Sequence, residues 1–291
     1  MSGYKNFVVA GAGNIGRFIV EELLKLQSSG AVSSVTVLTR KGGYADLVEK
    51  GAKVVAVDYS PSSSAFLVSA LQGTDVVIST LGFEAIDAQQ NALADAAKQA
   101  GVSLFVPSEF GNSTDGVTEG ILGIKNQLNR HLEKIRLPYA LFYTGLFTDF
   151  IFSPFFGWDL PNGKVHIRGE GNAPISFTHR RDVGRFVAYV LTQLSPDQLQ
   201  WKSFAVEGDR KSWNEILELY QAKTGKTLQV THQPRSELQA ALRKNPQDSV
   251  AHIFLEWDEG RGIVGKPEEL SNKLFPSFNP RNIIDTILET Q

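Results

Sequence analysis

An α/β fold, a doubly wound parallel sheet followed by a smaller C-terminal substrate lobe, is predicted by three observations. The first apolar run, Phe7-Val8-Val9-Ala10, stops at Gly11-Ala12-Gly13-Asn14-Ile15-Gly16, and a helical pattern starts at once. Strand and helix patterns then alternate through most of residues 1–150. Over 151–291 the alternation gives way to shorter segments punctuated by glycine and proline, with no internal repeat or low-complexity linker. Alternation of this kind implies right-handed βαβ units with helices on both faces of a parallel sheet. Strand, glycine turn and helix in succession form the context of the dinucleotide fingerprint, so the sheet reads as Rossmann-type.

Each element has its own justification. Ile15, Phe18, Ile19, Leu23 and Leu26 recur at helical spacing after the glycine turn, while Arg17, Glu21, Glu22 and Lys25 take the other face. Residues 35–39 form a β-branched run, 44–50 a short helix, 54–57 a third strand and 65–71 a helix. Residues 75–79 form a fourth strand, 85–100 an alanine-rich helix ended by Gly101, and 103–106 a fifth strand stopped by Pro107. A helix over 119–136 carries the stripe Ile121, Ile124, Leu128, Leu132 and Ile135, and 139–143 is a sixth strand. Residues 164–168 and 173–177, joined by Gly169-Glu170-Gly171-Asn172, read as a hairpin. A helix over 181–194 is expected to pack back on the dinucleotide domain. Further on come a strand at 204–206, a capping-box helix opened by Ser212-Trp213-Asn214-Glu215 and closed by Gly225, a strand at 227–233, and helices over 236–244 and 283–290.

Composition narrows the function. The 291 residues suffice for a full hydrophobic core, and a net charge of −2 gives no reason to expect a nucleic acid or an anionic membrane as partner. The absence of cysteine excludes disulfides, thiolate catalysis and cysteine metal sites, and with the short first apolar run it favours a cytoplasmic protein. The apolar segment 140–156 is interrupted by Thr144, Gly145, Thr148, Asp149 and Pro154, which argues against a spanning helix. The five histidines lack metal-ligand spacing, so no metal is expected, and neither a GxSxG elbow nor a P-loop is present.

Ligands of such sheets bind beyond the carboxyl ends of the strands. Those ends are Gly11, Arg40, Asp58, Thr80-Leu81-Gly82 and Pro107-Ser108-Glu109, and together they are expected to line one crevice. Gly11 permits the tight turn, Gly13 lets a pyrophosphate approach, and Gly16 lets helix and strand pack closely, so that the helix start at Asn14, Ile15 and Gly16 can hold the anion. Where an NAD site places an acid after the second strand, this chain has Arg40 and Lys41. Their cationic heads suit the 2′-phosphate of NADPH; as solvated loop cations they would hold nothing. Six of the 18 phenylalanines fall at 142, 147, 150, 152, 155 and 156, either as an apolar wall for a flat substrate or as core. Lys125 lies three residues before Leu128 and seven before Leu132, on the protein-facing side of its helix, either poised for chemistry or with its stem merely packed there. No tyrosine has a lysine four residues after it, the usual pairing in short-chain dehydrogenases.

These features resemble the NmrA-like, isoflavone-reductase-like atypical short-chain dehydrogenases. The likeness rests on the glycine turn, Thr39-Arg40, Gly73-Thr74-Asp75-Val76-Val77-Ile78-Ser79, Pro107-Ser108-Glu109-Phe110-Gly111, Lys125 and Arg181-Asp182-Val183-Gly184. It implies NADPH as cofactor, with Arg40 and Lys41 at its 2′-phosphate and Pro107, Ser108 and Phe110 beside the nicotinamide. It also implies Lys125 as the catalytic lysine, placed at the bound cofactor as well, and an NADPH-dependent reductase acting on an activated C=C bond or a quinone-like aromatic. Glu109, Phe147, Phe150 and Phe152 are then expected on the side of the aromatic or enone substrate. The family's other branch, non-catalytic dinucleotide sensors that bind a protein partner, is the alternative. Plant members usually carry Gly-x-x-Gly-x-x-Gly at the first turn, from which this chain departs.

Overall fold

The computed structural model describes residues 3–40, 42–60 and 63–289. By its internal contacts the chain forms two compact units, Met1–Glu109 with Thr114–Phe142 and Val183–Phe204, and Phe110–Ser113 with Tyr143–Asp182 and Ala205–Gln291.

The first unit opens with β1 (Asn6–Ala10), α1 (Gly16–Ser28), β2 (Ser34–Thr39), α2 (Ala45–Glu49), β3 (Lys53–Ala56), α3 (Ser64–Ala70), β4 (Val76–Ser79), α4 (Ala88–Gln99) and β5 (Leu104–Val106). The strands form the expected parallel sheet, in the order β3-β2-β1-β4-β5. The order reverses at β1, so the crevice of a doubly wound sheet opens where the glycine turn lies. After α5 (Gly120–Lys134) the chain returns as β6 (Ala140–Tyr143), and a parallel bridge from Phe105 to Tyr139 sets the start of that strand beside β5. β4 and β5 are buried throughout, as strands covered on both faces must be. In α1 the buried stripe is Ile19, Val20, Leu23 and Leu24, so Phe18 and Leu26 stand at its margin.

The remaining elements, in order, are β7 (Leu146–Phe147), α6 (Thr148–Ile151), β8 (Trp158–Asp159), β9 (Lys164–Arg168), β10 (Ile175–Thr178), α7 (Arg180–Gln193), α8 (Pro196–Leu199), β11 (Lys202–Ala205), β12 (Asp209–Lys211), α9 (Trp213–Thr224), β13 (Gln229–Gln233), α10 (Arg235–Lys244), α11 (Ser249–Glu256) and α12 (Ile283–Glu289). Residue 290 of the expected last helix lies outside the described residues. From Val183 onward α7 belongs to the first unit, where Gly184 packs so closely on α1 that a Cβ would fall 2.7 Å from the Phe18 carbonyl oxygen.

The second unit is held by an aromatic core of Trp158, Phe177, Trp213, Tyr220, Phe254 and Trp257, with small sheets β12-β10-β7 and β13-β9-β8. Here the structure corrects one expectation: β9 and β10 do not form a hairpin. β9 pairs with β8 and β13, and β10 with β7 and β12. The link between them is no hairpin turn because its backbone is committed elsewhere. The amides of Glu170 and Gly171 donate to Asp258 Oδ1 at 2.7 and 3.2 Å, and Asn214 Nδ2 donates to the Glu170 carbonyl at 3.0 Å. Among the described residues no helix is long and apolar enough to cross a membrane, and no group of acidic or histidine side chains could hold a metal ion.

Candidate active site

At the carboxyl ends of β1, β2 and β4 a crevice of about 320 Å³ is lined by Gly11, Ala12, Gly13, Leu38, Thr39, Arg40, Tyr44, Tyr59, Thr80, Leu81 and Gly82. Its floor is a clamped glycine turn. The Gly11 amide donates to the Leu38 carbonyl at 2.8 Å, and the Thr80 hydroxyl lies 2.8 Å from the Gly11 carbonyl and 3.1 Å from that of Ala10. Gly11 has φ of +93°, in the region that favours glycine. A Cβ at Gly16 would fall 2.2 Å from the Gly11 carbonyl oxygen and 2.3 Å from the Thr80 hydroxyl, so α1 approaches β1 only because that residue is glycine.

Gly13 differs from both. A Cβ there would meet nothing within 4 Å, and the residue is exposed. No side chain caps α1 at Ile15, and among the described residues the amides of Ala12, Gly13 and Ile15 meet no protein acceptor. Open space, unsatisfied donors and the positive end of a helix dipole are what an anionic pyrophosphate requires. The protein thus fits a dinucleotide at this place without any rearrangement of the turn.

Arg40 is exposed on the crevice wall; among the described residues it forms no salt bridge and is the single charged residue of the lining. Lys41 lies outside the described residues. Asp58 is not among the residues that line the crevice: its carboxylate accepts from the Ser60 amide at 3.0 Å and the Ser60 hydroxyl at 2.7 Å, which hold it below the usual carboxylate range. Tyr59 occupies the wall in its place, and Tyr44 reaches it from a left-handed backbone, φ 62° and ψ 38°. Sequence reasoning missed both tyrosines. Aromatic residues in the loops that follow the ends of β2 and β3 were the available signal.

A second cluster hangs from the crevice wall by Ser108. Its hydroxyl donates to the Leu81 carbonyl at 2.9 Å and its amide to Gln90 Oε1 at 2.7 Å, while Gln90 Nε2 is fixed on the Ile86 carbonyl. Gln90, a fully buried amide in an alanine-rich helix, was another missed residue. After a tight turn that places the Glu109 amide 2.8 Å from the Pro107 carbonyl, Glu109 points inward with only 2% exposure. The carboxylate expected beside the substrate is therefore packed inside the protein. The reason is α5: Asn129 Nδ2 and the Thr114 hydroxyl both donate to Glu109 Oε1, at 2.7 and 3.0 Å, and Oε2 has no partner among the described residues.

Lys125, one helical turn before Asn129 on the same face of α5, donates from Nζ to the Glu109 backbone carbonyl at 2.5 Å. Burial pushes the Lys125 ammonium below its ordinary pKa, opposed by the Glu109 charge. Burial pushes Glu109 up, opposed by Lys125 and by the bonds from Asn129 and Thr114. Lys125 thus stands two hydrogen bonds from the crevice wall, through Glu109 and Ser108.

Four of the sequence-selected residues belong to the second unit. Phe110 adopts φ of +34°, a rare conformation for a bulky residue. Phe152 is built into the aromatic core, its ring 4.9 Å from Trp158, 6.1 Å from Phe177 and 6.3 Å from Trp213. Phe147 is half-buried on β7, and Phe150 is 44% exposed with the Arg180 guanidinium 5.5 Å over its ring.

Comparison with known proteins shows the family of the chain. The isoflavone reductase homolog P3 of Arabidopsis thaliana is 30% identical, over 94% of this chain and 93% of that protein. Oxidoreductase BOA1 of Botryotinia fuckeliana is 32% identical over 75% of each. The solved structure of AtPrR2 with NADP+ and (+)pinoresinol has the same fold, at a TM-score of 0.82, with 20% identity and 100% of both chains covered. The model of the NmrA-like family matches residues 5–279, and the chain belongs to that family.

Proposed function

We propose that the protein is an NADPH-dependent reductase acting on an activated C=C bond or a quinone-methide-like aromatic. The observation that carries this reading is Lys125, half-buried, with Nζ held on the carbonyl of Glu109, next to the residue that is bonded to the crevice wall. The isoflavone reductase homolog at 30% identity supports reduction as the reaction class. A crevice whose single charged lining residue among the described residues is Arg40 supports NADPH over NADH, since none of those lining residues is an acid that could accept from a ribose 2′-hydroxyl.

The residues present suit the cofactor: the open backbone at Gly13 and the uncapped start of α1, with Asn14 and Ile15, for the pyrophosphate, Arg40 for the 2′-phosphate, and Thr80, Leu81 and Gly82 for the strand-end wall. When bound, NADPH supplies a hydride for an electron-poor carbon. Lys125 then stabilises and protonates the oxygen or carbon on which negative charge develops, as a cation with a lowered pKa does most effectively near neutral pH. Ser108 and Gln90 fix the loop after β5, so that Glu109 can hold the ammonium in one position. Phe147 and Phe150 are the candidates for contact with an aromatic substrate.

The test is turnover of NADPH, followed by its absorbance, with a panel of enones, quinones and phenolic compounds. Lys125→Met is expected to lower turnover by about 10² to 10⁴ while leaving cofactor binding and melting temperature near wild type. A fall of less than tenfold in a folded variant contradicts the role. Tight NADPH binding with no turnover on any compound would instead favour the dinucleotide sensor.

A further inference from the structure

Tyr59 carries a polar group that the fold leaves unused. The residue is 2% exposed and packed in the hydrophobic core of the first unit, yet it lines the crevice, and its hydroxyl has no hydrogen-bond partner among the described residues. A buried, unpaired hydroxyl is unfavourable unless something else satisfies it. The groups around it narrow the choice. Asp58, the adjacent carboxylate, is committed to Ser60. Arg40 is near enough for its charge to act on the phenol, but a guanidinium has only donors and cannot accept the phenolic proton. Burial pushes the phenol well above its ordinary pKa, so Tyr59 stays a neutral donor. Register explains why the two meet: β2 and β3 run parallel with Thr39 opposite Ala56, and the Val57 amide donates to the Thr39 carbonyl at 2.8 Å. Arg40 and Tyr59 therefore leave the sheet from neighbouring strand ends.

We infer that the Tyr59 hydroxyl donates to the 2′-phosphate of the cofactor and, with Arg40, sets the preference for NADPH over NADH. A phosphate oxygen accepts from both residues at once, which no group among the described residues does here. The inference rests on the NADPH reading of the crevice and adds a residue to it.

The experiment compares wild type with Tyr59→Phe, which keeps the ring and removes only the oxygen. Calorimetric titrations with NADPH, NADH, 2′,5′-ADP and 5′-AMP give the affinities, and a thermal melt without ligand gives stability. NADPH and 2′,5′-ADP are expected to weaken about tenfold, NADH and 5′-AMP by less than about twofold. The melting temperature should not fall, because the lost hydroxyl had no protein partner. Equal weakening of all four ligands would move the contact to the adenine or ribose and overturn the inference. No weakening, as for a hydroxyl that only holds water, overturns it too, as does a drop of several degrees in the ligand-free melt. Wild type without preference for NADPH overturns the cofactor reading itself, and the inference with it.

Discussion

Two glycine-rich loops of this protein, residues 11–16 and 169–172, share a text and differ in what their backbones do. In both, glycines take positive φ: Gly11 at +93°, Gly169 at +95° and Gly171 at +74°. In the second loop the free amides of Glu170 and Gly171 converge on the carboxylate of Asp258, which also holds Arg235 at 2.6 Å. The protein supplies its own anion there. In the first loop no internal anion is provided, and the space beside Gly13 is left open. A glycine loop thus indicates a ligand only where its donors are left over after the fold has used what it needs. The sequence shows the glycines in each case; the acceptor, 87 residues away in the second loop, is visible only in the structure.

The comparison breaks most readily through paired variants. Asp258→Ala removes the internal anion and leaves one buried amide, one part-buried amide and a cation without it, so stability is expected to fall by about 2 to 4 kcal/mol in urea unfolding. Gly13→Ala, which meets no protein atom, is expected to leave stability unchanged or to raise it by about 0.4 to 1 kcal/mol, and to weaken NADPH binding. If the two variants exchanged these signatures, the distinction between the loops would be lost.

A smaller effect concerns the buried pair. Burial lowers the pKa of Lys125, and the Glu109 carboxylate partly offsets this. Glu109→Gln removes the offset, so the Lys125 proton is lost at a lower pH. If protonated Lys125 is the acid, the decline of kcat on the alkaline side should move to lower pH, while Asn129 and Thr114 can still bond the amide oxygen. A profile that stays in place, or moves to higher pH, contradicts the coupling.

Legibility followed the range of the interactions involved. β1, β2, β4 and β5 were readable because each is a short apolar or β-branched run closed by Gly, Pro or a polar turn, whereas the pairing of β4 with β1 and not with β3 is a long-range choice. The false hairpin arose because local spacing cannot report that β9 pairs with β13, which joins it Val165 to Val230. α11 was passed over although Asp248 caps it, accepting from the Val250 and Ala251 amides at 3.1 and 2.9 Å. Of the strand-end residues, Gly11, Arg40, Thr80, Leu81 and Gly82 line the crevice, and Ser108 bonds the Leu81 carbonyl. Glu109 is held inside by Asn129, and the Asp58 carboxylate is bonded to Ser60; no strand-end rule contains that information.

The most direct test of the account is the affinity of wild type and Arg40→Ala for NADPH and NADH, measured by calorimetry under one set of salt conditions. Wild type is expected to prefer NADPH. Loss of the charge-assisted contact should weaken NADPH by about 1.5 to 3 kcal/mol, tenfold or more, and leave NADH nearly unchanged. Equal weakening of both cofactors, or of neither, would contradict the assignment of the crevice to NADPH.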